Sequence, residues 1–360
     1  MKNFIQTIDE IQKQADLEKY REIVEKQGRK FVIFGAGDCG HVVYNMLHKV
    51  DIEVSFFCDN KAGGHTDEAT GLAIVSPEYL KDKTDDLTIL ICAVEEDAYR
   101  AIYEQVMQMG FDKVQIDIMR EYYDRLSIEY LEDNMKRYRD AYQLLEDDFS
   151  KRVYLARMKK VFLMSDIAEI VSPCEEEYFD EKVILTDEEV FIDCGGFDGD
   201  TSVKFLEKCN GKYKDIVIFE PELCKKAAIE KNLAGHSYEL YQAGVWSEKT
   251  TLYFAALETD GSRVLETESD YKIEAAALDE TVYDKKPTFI KMDIEGSEQE
   301  ALKGCKRILR EYKPKLAICV YHRPDDLYKI PFLIKELNPE YQLYLRQYSN
   351  TRFETVLYAL

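Results

Sequence analysis

Apolar residues at Phe4, Ile8, Ile11 and Ala15 recur every three or four positions, which is the spacing of one face of an amphipathic helix. Such a face either covers a domain or joins two copies as a homodimer. At Phe31 the pattern changes to a short unbroken apolar run, Phe31 to Phe34, followed by Gly35-Ala-Gly37-Asp-Cys-Gly40 and a helical stretch reaching Met46 and Leu47. Further apolar runs at Val54 to Cys58, Leu87 to Ala93 and Lys113 to Ile116 bracket a helical stretch from Glu95 to Met109. Strands alternating with helices predict a small parallel α/β unit over 29–117. Residues 118–175 lack glycine and are rich in Glu, Lys, Arg, Tyr and Leu, so a helical connector is expected over 118–180. From Val190 the alternation resumes, with strands at 190–193, 215–219, 288–293 and 315–321. Helices follow near 200–209, 222–233, 297–310 and 325–337, and a strand-rich stretch covers 238–277. Two closing strands, Tyr341 to Tyr348 and Thr355 to Leu360, predict a mostly parallel sheet of seven strands closed by an antiparallel one. The expected fold class is α/β with two Rossmann-like domains, arranged as an N-terminal helix (1–28), the small domain (29–117), the connector (118–180) and a larger domain (181–360).

Composition narrows the partners. The chain of 360 residues is 46% apolar, enough for at least one large core, and its net charge of -22 excludes the clustered basic surface that nucleic acid requires. Nine cysteines include no C-x-x-C pair, and several lie in apolar runs, as expected of a reduced, cytoplasmic protein. The first 20 residues lack the apolar core of a signal peptide, and no run approaches a membrane span.

Gly35, Gly37 and Gly40 form a G-x-G-x-x-G in strand, turn and helix context. Asp59 lies about 20 residues further on, where an acid can reach a ribose. The unit is short for a dehydrogenase and supplies no Tyr-x-x-x-Lys pair, so it reads either as a nucleotide or nucleotide-sugar module or as a scaffold without a ligand. In the larger domain, Asp193, Gly195 and Gly199 give D-x-G-x-x-x-G, which suits an anionic carboxylate and points to S-adenosylmethionine. The bare amides of Gly195, Gly196 and Gly199 and the following helix can hold the methionine carboxylate, with Asp193 favouring the ammonium or sulfonium side. A bulky residue at Gly195 would block the ligand's approach. Glu220, at the end of the next strand, can accept the ribose hydroxyls or simply face its helix dipole. Gly244 and Val245, beside Trp246, can line the adenine. Asp293, Glu295 and His322 fall at neighbouring strand exits, where two carboxylates and an imidazole can bind and deprotonate a hydroxyl. The same three could instead hold a divalent cation, and Ser297 with Glu300 spells a helix capping box. Ser262 and Arg346 are expected to touch the acceptor.

Asp193-Cys-Gly-Gly-Phe-Asp-Gly199, Phe219-Glu-Pro221, Phe289-Ile-Lys-Met-Asp-Ile-Glu-Gly-Ser-Glu298, Tyr321-His322 and Glu354-Thr-Val-Leu-Tyr358 together resemble the FkbM family of methyltransferases, from about Tyr178-Phe-Asp180 to the C-terminus. The resemblance implies a Rossmann-like methyltransferase fold, S-adenosylmethionine as donor and O-methylation of a sugar or polyketide hydroxyl; no resident metal is expected. Methyl transfer to a hydroxyl needs a base, and His322 is expected to be it, with Asp293 or Glu295 orienting the acceptor or the imidazole and Asp293 also at the cofactor. The N-terminal domain is similar to nucleotide-sugar-binding domains of bacterial sugar-modifying enzymes. A small-molecule or glycan acceptor, such as a nucleotide sugar of cell-surface polysaccharide synthesis, is the expected partner. A tandem binding scaffold without catalysis is the rival reading.

Overall fold

A parallel sheet covered on both faces needs strands that are apolar throughout. Val190–Cys194, Phe289–Met292, Asp215–Phe219 and Lys315–Cys319 come close to that demand: all of their residues are buried except the first of the last two, and the buried charges among them, Asp193 and Lys291, face each other. The computed structural model describes residues 2–14, 30–49, 52–93, 96–111, 114–115, 128–162, 177–255, 263–265, 271–349 and 353–360. It divides into one unit of Met1–Glu132 with Arg157–Asp166 and a second of Asp133–Ala156 with Ile167–Leu360. The connector helices Ile128–Gln143 and Asp148–Phe162 therefore contribute to both.

In the first unit the strands are β1 (Lys30–Phe34), β2 (Val54–Cys58), β3 (His65–Thr66), β4 (Ala73–Val75), β5 (Leu87–Ile91) and β6 (Val114–Gln115). They form one sheet in the order β3-β4-β2-β1-β5-β6, parallel except at β3. Helix α1 (Asp38–Lys49) follows the glycine turn after β1. The N-terminal helix Lys2–Gln14 buries Phe4, Ile8 and Ile11, the face that its spacing predicts.

The second unit carries a seven-stranded sheet of β7 (Val190–Cys194), β8 (Asp215–Phe219), β9 (Glu239–Tyr241), β14 (Phe289–Met292), β15 (Lys315–Cys319), β16 (Leu343–Gln347) and β17 (Thr355–Ala359). The order is β16-β17-β15-β14-β7-β8-β9. It is mixed: β9 to β15 pair in parallel, while β17 pairs antiparallel with both β15 and β16. Beside it, β10 (Gly244–Val245), β11 (Thr250–Ala255), β12 (Arg263–Leu265) and β13 (Lys272–Ala276) make a separate four-stranded sheet. Phe191 stacks on Phe205 with ring centres 4.6 Å apart and tilts against Phe289 at 5.0 Å, so one aromatic stack ties two adjacent strands to the helix after β7.

The helix expected over 297–310 is two short ones, Glu298–Lys303 and Lys306–Glu311. Gly304 stands at the break, and only glycine fits there, since a Cβ would stand 2.1 Å from the Trp246 carbonyl oxygen. The eight described cysteines are free, and no helix among the described residues is long and apolar enough to cross a membrane.

Candidate functional site

The chain leaves β7 through Gly195 at φ 81°, Phe197 at 45° and Gly199 at 88°, three left-handed residues in five, and Gly199 caps the helix α2 (Asp200–Lys208). A Cβ at Gly195 would lie 1.8 Å from the Asp293 carbonyl oxygen. The room at Gly195 is therefore needed by the neighbouring strand exit and not by a ligand, which corrects the reason inferred from sequence. Gly195 and Gly196 donate their amides to the Phe219 carbonyl at 3.0 and 3.1 Å and Gly199 donates to the Gly196 carbonyl at 2.7 Å, so the amides expected to be bare for a carboxylate are already engaged within the protein. The Glu220 carboxylate then accepts Phe197 N–H and Glu222 N–H, both at 2.8 Å. Burial pushes Glu220 up to about 6, against those two N–H groups, which favour its charged form. Phe197, Leu223 and Tyr271 are exposed apolar side chains on this loop, on the segment after β8 and ahead of β13.

Asp193 does not open onto this loop. It is fully buried, its Oδ2 accepting from Ser202 Oγ at 2.8 Å and its Oδ1 lying 3.1 Å from Lys291 Nζ. The register of β7 and β14 sets Lys291 directly beside it. Lys291 also donates to the Gly195 carbonyl at 2.6 Å, and although burial opposes its charge, Asp193 and Asp293 outweigh that and hold the ammonium above its usual range. The role given to Asp193 from sequence, contact with the donor's cationic side, is thus corrected: its charge is spent on Lys291, and it anchors the loop from beneath.

Asp293, Glu295 and His322 do converge. His322 Nε2 lies 3.3 Å from Asp293 Oδ1 and 3.5 Å from Glu295 Oε2, and Nδ1 lies 2.8 Å from Glu298 Oε1. Tyr178 and Tyr321 donate their hydroxyls to the two oxygens of Asp293 at 2.7 and 3.2 Å. Burial alone would lower His322, but Glu298 first, then Asp293 and Glu295, raise it to about 10. These carboxylates favour the doubly protonated, charged ring, a form with no free lone pair to take a proton from a hydroxyl. Asp293 is conversely held below the usual carboxylate range: burial opposes this, and His322 and Lys291 prevail. The expected capping box is absent, since Ser297 makes no side-chain cap and Glu300 turns to Lys303, while Glu298 reaches back to the Ile294 N–H at 3.0 Å.

Gly244 and Val245 pair with Ala275 and Ala276 in the smaller sheet, and Val245 is buried. Arg346 is not available to an acceptor. It is 5% exposed and forks onto Asp147 and Asp180, with further bonds to Ser150 and the Leu345 carbonyl. Ser262 lies outside the described residues. Glu177, Lys291 and Glu298 went unrecognised in the sequence. Lys291 gave a signal, being the one charged residue in an apolar strand, and Glu177 gave little beyond an acidic run. Burial, then Glu354 and Asp293, push Glu177 up to about 8, and its buried Oε1 has no hydrogen-bond partner.

The first unit repeats the loop construction. Gly35 N–H donates to the Cys58 carbonyl at 2.8 Å, Ala36 N–H to Asp59 Oδ2 at 3.0 Å, and a Cβ at Gly35 would lie 2.2 Å from the Cys92 carbonyl oxygen. Asp59 also accepts from the amides of Lys61 and Ala62. Burial opposes its charge, and these three N–H groups overcome it and lower the carboxyl. Gly40 packs on the Gly35 carbonyl, whereas a Cβ at Gly37 would meet nothing within 4 Å.

A sheet of this order with a glycine loop after its first strand, an acid after its second and an acidic exit from β14 defines a methyltransferase-type α/β protein. Residues 193–348 match the model of the methyltransferase FkbM domain. Residues 27–117 match the C2185-like N-terminal domain. Over the full length the chain is similar to a methyltransferase FkbM from Methylobacillus flagellatus, at 23% identity and a TM-score of 0.74, covering 100% of this chain and 98% of that one. It also aligns, at 14% identity and a TM-score of 0.32, with a precorrin-6y C5,15-methyltransferase from Geobacter metallireducens, over 50% of this chain and 83% of that one. No curated protein matches.

Proposed function

We propose that the second unit transfers a methyl group from S-adenosylmethionine to a hydroxyl of a sugar or glycan precursor. The observation that carries the donor is the loop Gly195 to Gly199 clasped to Glu220. Each Glu220 oxygen accepts a single backbone N–H, which leaves lone pairs for two ribose hydroxyls, and the exposed Phe197, Leu223 and Tyr271 offer apolar surface for a purine. The donor supplies a sulfonium-bound methyl group, so the chain's own task is to seat the acceptor oxygen, exclude water and receive a proton. Glu295, 37% exposed against 24% for Asp293, is the proton acceptor in this reading, and His322 steadies both carboxylates by its charge. The first unit, whose loop is built as the second unit's is, binds a nucleotide or nucleotide sugar of its own through Gly35, Gly37, Gly40 and Asp59.

Calorimetry with S-adenosylmethionine and S-adenosylhomocysteine tests the donor, and absence of binding at micromolar concentrations removes the enzyme reading. Mass spectrometry of reactions with nucleotide-linked and polymer-linked sugars tests the acceptor. Methylation of another hydroxyl class and of none of these refutes the sugar assignment.

A further inference from the structure

We propose that Asp293, Glu295 and His322 hold one divalent first-row transition-metal ion. One ligand atom from each of the three lies within 4.8 Å of the others, close enough for a single ion to reach all of them. An independent observation is the state of the imidazole. The His322 side chain is 7% exposed, and its Nε2, shielded from solvent and facing both carboxylates, completes no hydrogen bond. A buried ring nitrogen without a partner is costly, and an ion between it and the carboxylates removes that cost, displacing the Nε2 proton to solvent as it binds.

The surroundings are those of a ligating histidine. Its other nitrogen, Nδ1, is fixed 2.8 Å from Glu298, a fully buried carboxylate, and such an outer partner orients the ring toward a metal. Asp293 is fixed in turn by the Tyr178 and Tyr321 hydroxyls. Two carboxylates and one imidazole suit Mn²⁺ or Zn²⁺, since Ca²⁺ and Mg²⁺ take oxygen ligands. Three protein ligands leave positions open for two oxygens of one acceptor, as vicinal sugar hydroxyls present them. That last step rests on the function proposed above, whereas the ion site itself does not. A hydroxyl bound to the ion is more acidic and loses its proton to bulk water, Glu295 then serving as a ligand in place of proton acceptor.

The test uses the full chain, stripped with a chelator and titrated separately with Mn²⁺, followed by electron paramagnetic resonance, and with Zn²⁺, followed by calorimetry. One ion per chain is expected, bound at least tenfold more weakly in Glu295→Gln and His322→Gln and about 10- to 100-fold more weakly in Glu298→Gln. Glu340→Gln, an exposed carboxylate elsewhere, leaves binding unchanged. Glu295 is partly exposed, so its variant keeps the test sharp if the histidine variant unfolds, and thermal melts identify that case. No saturable site, or unchanged affinity in the folded variants, overturns the proposal. S-adenosylmethionine binding measured on the same samples separates the outcomes. Donor binding without an ion refutes this inference alone, and an ion without donor binding refutes the proposed function.

Discussion

Replacing Lys291 by Met removes the cation from a pair in which Lys291 is 3% and Asp193 0% exposed. Asp193 then keeps only the Ser202 hydroxyl, and the Gly195 carbonyl loses its 2.6 Å donor. Breaking one side of a buried ion pair costs about 3–5 kcal/mol, because the remaining charge is left without compensation. Asp193 has an escape, since burial already raises its carboxyl above the usual value and loss of Lys291 raises it further. A carboxyl raised on folding contributes its stability in the protonated form, present below an unfolded value near 3.8 and lost as pH rises through the folded one. The deficit of Lys291→Met is therefore small near pH 4 and full near pH 7. Urea unfolding followed by the fluorescence of Trp246, the single tryptophan and a member of the second unit, reads it out. The double variant Asp193→Asn with Lys291→Met removes both charges and recovers most of the loss. A deficit under about 1 kcal/mol at pH 7, or a double variant as unstable as the sum of the two single ones, refutes the assignment of this pair as the support of the loop.

Glu220, raised to about 6, gives opposite trends on acidification. Stability gains as pH falls from 6 toward 4.5, while donor affinity measured by calorimetry drops below 6 as the ribose acceptor is lost, and a flat affinity between pH 5 and 8 counts against Glu220 as the donor's anchor. Arg346→Met destabilises the protein by about 3–5 kcal/mol in the same unfolding assay, since it strands Asp147 and Asp180, yet leaves the acceptor KM within about twofold. A selective rise in KM instead places Arg346 at the substrate. Gly37→Ala meets open space and leaves the melting temperature unchanged, but weakens nucleotide-sugar binding by the first unit if phosphate approaches that amide. Equal binding by the wild-type protein and the variant removes the nucleotide role of that turn.

The order of strands and helices in both units was readable, because parallel strands are largely apolar runs and helices carry a periodic face, but their limits were less so, as the split of the helix expected over 297–310 shows. The residues at strand ends were readable too, since a glycine, an acid or a histidine there breaks the run. Asp293, Glu295 and His322 could be grouped for that reason alone. Their protonation could not, because it depends on Glu298 lying 2.8 Å from Nδ1, a contact that crosses from one helix start to another strand exit. The capping box at Ser297 and Glu300 was a local reading that lost to this tertiary demand.

The sequence by itself determined the alternation of elements, the glycine turns after β1 and β7, and the acids that follow them, since each is written in a few adjacent residues. Only the tertiary structure decided what those acids do. Asp193 and Arg346 both look like ligand-binding residues in one dimension. Folding places the one beside Lys291 and the other between Asp147 and Asp180, because a charge that packing removes from water must find its partner inside the protein.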